Sequence, residues 1–98
     1  MILMTLSDIL DDIEIAEQGL HKFERRYWVS SDHFYDTYSK GLLDNGENLE
    51  EFSEWAGHYK LRQKRMAALE KISSDHIASL RRGEKVNLQP AEPTYSAA

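Results

Sequence analysis

Leu6, Ile9, Ile13, Ala16, Leu20, Phe23 and Tyr27 follow one another at alternating steps of three and four residues. All seven are apolar, and this spacing lines them along one side of a helix, whereas a strand would alternate with a period of two. A seam of that length exposed to water is unfavourable, so the chain must lay it lengthwise against another helix. Just before the seam, "TLSD" offers Thr5 or Ser7 as a cap, and Asp8, Asp11 and Asp12 favour the positive end of the helix. These signals predict a first helix over residues 7–28. Gly19 falls inside it at a cost of about 1 kcal/mol relative to alanine in an exposed helix interior, and the seam overrides that cost.

The covering partner is expected further along. A helix starting near Asn48, with Glu51 placed for a box-like cap, carries Leu49, Phe52, Trp55, Ala56, Tyr59, Met66, Leu69 and Ile72 as its apolar stripe. Arg62 and Gln63 interrupt the stripe but can cover apolar surface with their stems. After Ile72 the phase slips to Ile77 and Leu80, which predicts a bend or a restart reaching residue 82. At 1.5 Å per residue the helices over 7–28 and 49–72 are about 33 and 36 Å long. Matching lengths favour an antiparallel hairpin.

Between them, "VSSDHFYDTYSKG" reads as a short helix over residues 31–40. Ser30 or Ser31 is its cap, Phe34 and Tyr38 share a face, and Gly41 takes the left-handed position after its end. Leu42 and Leu43 then fold back as the contact that accompanies such an ending, and "DNGEN" is a turn. From "GEKVNLQPAEPTYSAA" onward, two prolines and the lack of periodicity predict a flexible tail. The expected architecture is all-α: a single helical domain over 1–82, built as an antiparallel hairpin of two long helices with a short one between, followed by a flexible tail over 83–98.

Charge is unevenly spread. Residues 1–56 hold four Lys/Arg against thirteen Asp/Glu, and residues 57–98 hold eight against four. Folding the hairpin antiparallel explains this, because Lys60, Arg62, Lys64, Arg65 and Lys71 then run beside Glu17, Glu14, Asp12, Asp11 and Asp8. The same pairing accounts for "KLRQKR" at 60–65, the one basic run, so nucleic acid is not expected as a partner of this chain by itself. The chain has no cysteine, which suits a reducing compartment. "MILMTLSD" has no basic n-region, and no stretch approaches a membrane span. A cytoplasmic protein without membrane contact is the expectation.

Few residues suggest chemistry. "SSDH" occurs at Ser30–His33 and again at Ser73–His76. Neighbours on a helix point about 100° apart, so Asp32 and His33 cannot orient each other as members of a catalytic triad. The first copy reads as a helix cap and the second as a bend or restart. Glu17/His21 and Glu54/His58 are spaced to share a helix face but would lie at different levels of the hairpin, so they read as i,i+4 pairs. No catalytic, cofactor-binding or metal-ligating residue is expected, and the chain does not read as an enzyme.

The aromatic residues say more. Nine of the ten fall between Phe23 and Tyr59. Most must form a core at the closed end of the hairpin. Trp28 follows the seam residue Tyr27, and Tyr35 follows Phe34, so both are expected to point away from that core. Exposed tryptophan and tyrosine are common interface anchors. Tyr27, Trp28, Tyr35, Tyr38, Trp55 and Tyr59 are therefore the expected partner-binding residues.

The stretch "FERRYWVSSDHFYDTYSKGLLDNGENLEEFSEWAGHYKLRQKRMAALEKI" resembles a pattern in small helical bacterial and archaeal antitoxin-like proteins. It offers a helix ending in an aromatic at Tyr27, a serine-capped short helix with Ser30 and Phe34, then Tyr38 and Gly41. An acidic turn at Asp44 and the Glu54–Trp55 pair with Tyr59 on the return helix complete it. The resemblance covers about half the chain. It implies a non-enzymatic partner of a small ribonuclease-like toxin, acting by itself or as a homodimer, and the acidic N-terminal half would suit a basic toxin surface. The alternative reading of the same residues is a self-associating coiled-coil adaptor with no toxin partner.

Overall fold

In the computed structural model, which describes residues 4–44 and 46–90, Thr5 begins the first helix by exchange with Asp8. The Asp8 amide donates to Thr5 Oγ1 at 3.1 Å, and the Thr5 amide donates to Asp8 Oδ2 at 3.1 Å. This reciprocal box satisfies two of the free amides of a helix start. Helix α1 then runs over Leu6–Tyr27, burying Ile9, Ile13, Ala16, Leu20 and Phe23. The seam is thus buried through its middle, and Leu6 at its outer end stays 46% exposed.

Ser30 caps α2 (Ser31–Ser39), accepting from the His33 amide at 3.1 Å. The helix ends as expected at Gly41, whose φ of +70° lies in the left-handed region. The amides of Gly41 and Leu42 return to the carbonyls of Tyr38 and Thr37, both at 3.0 Å, a Schellman-type ending. Of the two leucines that follow, Leu43 packs on the core, and Leu42 is 70% exposed.

Helix α3 (Leu49–Ser79) returns antiparallel to α1. Arg26 meets Glu51, Lys22 meets Glu54, Arg62 meets Glu17 and Arg65 meets Asp12. Each step back along α1 is matched by a step forward along α3. The expected apposition of the basic stretch with the acids of α1 therefore holds at Arg62 and Arg65. Lys71 instead pairs with Asp75 on its own helix at 3.1 Å.

Three local expectations need correction. Asn48 makes no side-chain cap bond, its φ of −107° and ψ of 21° lying outside the extended region of a capping residue, and the Glu51 expected to complete that box is taken by Tyr27 and Arg26. Gly19 is a site of close approach: a Cβ there would lie 2.6 Å from the His58 ring. The third helix neither bends nor restarts at Ser73–His76 but is continuous to Ser79. No glycine or proline lies between 58 and 82, the Lys71–Asp75 pair bridges the serines, and serine lowers helix propensity without breaking the helix. The apolar phase can slip there because the last two turns run past the start of α1 and have no helix to match.

After α3, Arg81–Arg82 (β1) and Lys85–Val86 (β2) form a minimal antiparallel hairpin, turned at Gly83 with φ +65°. The stretch from Gly83, expected to be irregular throughout, thus begins with a turn that two-residue strands are too short to announce by alternation. The remainder, 91–98, lies outside the described residues. No helix among the described residues is long and apolar enough to cross a membrane.

Candidate interaction surface

The aromatic end is organised around Trp55, which is 1% exposed. Its ring lies 3.9 Å from that of Phe34, nearly parallel at 3°. Phe23 and Tyr27 stack on it at 5.5 and 5.6 Å. Such ring pairs add about 0.5–1.5 kcal/mol each beyond the area they bury. The indole N–H is a donor that would be costly to bury unpaired. It donates to Ser31 Oγ at 2.9 Å, so Ser31, the one buried polar side chain among the described residues, completes the core.

Around this core three residues of the first SSDH have structural roles. Ser30 caps, Ser31 holds Trp55, and Asp32 accepts from the Tyr59 hydroxyl at 2.7 Å. That bond to the Asp32 carboxylate, with burial adding to it, holds the Tyr59 phenol above its usual range. Glu24 anchors the start of α2 by accepting from the Ser31 amide at 2.9 Å, and its other oxygen contacts His21 Nδ1 at 2.9 Å. Burial pushes the Glu24 carboxyl up, but the hydrogen bonds from His21 and Ser31 outweigh it and leave the group below the usual carboxylate range. Glu51 is likewise held low, first by the Tyr27 hydroxyl, which donates to it at 2.5 Å, and then by Arg26. In the second SSDH, Asp75 pairs with Lys71, and His76 lends its carbonyl to Ser79.

The histidine–glutamate pairs also have ordinary partners. His58 lies 3.6 Å from Glu54, and His21 turns to Glu24 instead of Glu17. Among the described residues, no group of three or more His, Asp or Glu side chains is placed to hold a metal ion.

The six aromatics expected to meet a partner separate clearly. Trp55 is a core residue, out of reach of any partner because three rings cover it. Tyr27 and Tyr59 are half-buried, with their hydroxyls engaged by Glu51 and Asp32. Tyr35, expected to point away from the core, is half-buried and stacks on Tyr59 at 4.6 Å. The α2–α3 crossing brings those two rings together, and adjacency in sequence could not show that. Tyr38 is half-buried beside Phe34, 5.3 Å away.

Only Trp28 stands free. It is 92% exposed, and its backbone is left-handed, with φ 60° and ψ 35°. Its amide donates to the Glu24 carbonyl at 2.9 Å, closing α1 in the position where glycine is the usual residue. A large side chain in that conformation costs roughly 1–2 kcal/mol. Next to it Val29 is 40% exposed. At the other end of the hairpin, Leu6, Leu10 and Met66 are exposed by 46, 45 and 39%. Attention to the aromatics missed this second surface. Leu10, off the seam by its spacing, was its visible signal.

No family model, curated protein or solved structure matches the chain significantly.

Proposed function

We propose that this chain is a non-enzymatic protein-interaction module with Trp28 as its partner-facing anchor. The observation that carries the proposal is a tryptophan left almost wholly in water, in a backbone conformation that glycine would adopt at lower cost. Backbone strain of that kind persists where something other than folding keeps it. Exposed tryptophans are among the residues that contribute most to binding when a partner covers them. The use of Ser30, Ser31, Asp32 and Asp75 in caps and pairs, and of His21 and His58 beside Glu24 and Glu54, supports a non-enzymatic reading.

The finer form of the proposal is an antitoxin-like component that binds and neutralises a small basic toxin. It rests on the sequence resemblance and on the acidic N-terminal half. The test is affinity purification from the native host with wild type and Trp28→Gly. The expected result is a small basic protein that accompanies the wild type and is lost from the variant. Equal recovery with both chains would remove Trp28 from its role, and recovery of no such protein would remove the antitoxin reading.

A second reading, a self-associating helical adaptor, draws on the exposed leucines and methionine at the far end of the hairpin. A monomer in light scattering at high concentration would dispose of it.

A further inference from the structure

The groove between α1 and α3 is filled over only half its length, and α2 marks the side on which it is filled. Seven-residue steps along a helix return to nearly the same face, drifting by about 20°. On α1 the series Glu24, Glu17, Leu10 runs along the face toward α2. Glu24 bonds the Ser31 amide, and Glu17 lines the crevice beneath Ser30, Ser31 and Asp32. Leu10, the next step, is uncovered. On α3 the matching series is Phe52, Tyr59, Met66. Phe52 packs on Phe34 at 5.8 Å and Tyr59 on Tyr35 at 4.6 Å. Met66, the next step, is again uncovered. Leu6 lies one turn beyond Leu10 and is also exposed. The apolar floor therefore continues after its cover stops.

We infer that this open half of the groove binds a single amphipathic helix of a partner protein, carrying basic residues along its edges and lying in line with α2. The inference deepens the interaction reading above and rests on it. Two observations select the occupant. The outer side of α2 is polar and exposed, with Asp32, His33, Asp36 and Lys40 facing water. A second hairpin laid across the whole face would have to desolvate those groups, whereas one helix placed end to end with α2 leaves them wet. Each edge of the open half also carries a carboxylate beside the apolar floor. Glu14 stands one turn from Leu10 and Glu70 one turn from Met66, and neither forms an ion pair among the described residues. A second copy would bring the same acids against them, while a basic edge complements both.

The test uses the full chain and two synthetic amphipathic peptides of about 15 residues. They share one leucine seam and differ in edges of lysine or glutamate. Backbone NMR signals are followed during titration. The lysine-edged peptide should shift the signals of Leu6, Leu10 and Met66, and should bind about tenfold more tightly than the glutamate-edged one. Leu10→Asp combined with Met66→Asp should abolish those shifts while the signals around Trp55 keep their dispersion.

Absence of binding, equal binding of the two peptides, or shifts centred on Trp28 would overturn the inference. So would sedimentation showing a dimer that Leu10→Asp dissociates. If the peptides fail while Trp28-dependent capture from the host persists, only the groove assignment falls. If neither works, the interaction reading falls with it.

Discussion

The two ends of this hairpin are built from the same two helices and differ in what lies between them. At the closed end α2 wedges its Phe34 onto Trp55, and Leu20, Phe23, Phe52 and Ala56 close around them. At the open end Ile9 and Ile13 are buried, but among the described residues no third helix packs there, and Leu6, Leu10, Met66 and Ile72 remain in contact with water. A two-helix layer has two faces and can bury only the seam between its helices. The third helix turns a seam into a core. Stability should therefore be concentrated at one end, leaving side chains at the other free for other uses.

The largest effect should come from the centre of the closed end. Trp55→Ala removes a ring stacked by three others and should cost about 4 kcal/mol, a large part of the 5–15 kcal/mol typical of a domain. Urea unfolding would show it. Gly19→Ala, where the new methyl meets the His58 ring, should cost about 1–3 kcal/mol, and His58→Ala in the same chain should recover much of that. Ser31→Ala leaves the buried indole N–H without an acceptor and should cost about 1–3 kcal/mol, well above the effect of Ser39→Ala on the exposed side of α2. Leu10→Ser at the open end should change stability by less than about 0.5 kcal/mol. A loss as large as that of Ser31→Ala would erase the contrast between the ends.

Acid should also distinguish them. Glu24 and Glu51 both belong to the closed end, and both have carboxyl pKa values lowered by folding. The unfolded chain therefore binds protons first as pH falls. Their contribution is present above the ordinary carboxylate range and is lost as pH falls through the lowered folded values. Glu24→Gln should flatten this acid limb in a pH series of thermal melts. Tyr59 works in the opposite direction: its raised pKa stabilises the fold below the usual tyrosine range, and that contribution is lost as pH rises through the raised value.

What could be read from the sequence was what periodicity and local chemistry encode. The seam defined α1, and Thr5, Ser30 and Gly41 punctuated the helices because caps act within a few residues. Charge asymmetry gave the antiparallel register, now visible in Arg62–Glu17 and Arg65–Asp12. What stayed hidden depends on residues brought together by the fold. Ser31 and Trp55 are paired across 24 positions, so Ser31 looked like a spare cap, and Trp55 looked as available as any other aromatic. Gly19 looked like a defect until His58 lay against it. Glu51 looked like a cap because its claimant, Tyr27, sits on another helix. Of the six aromatics expected to meet a partner, Trp28 was the one whose exposure the sequence indicated well, since it directly follows the seam's last residue at the end of the helix.

Trp28 also carries the central claim, that a costly residue is kept at the helix end for a reason other than folding. The direct measurement is the thermal unfolding of Trp28→Gly beside wild type, both alone in solution. Relief of the left-handed strain should stabilise the variant by about 1 kcal/mol, raising the melting temperature by roughly 4–8 °C for a domain of this size. A lower melting temperature would mean that the exposed ring supports the fold after all, and would contradict the account.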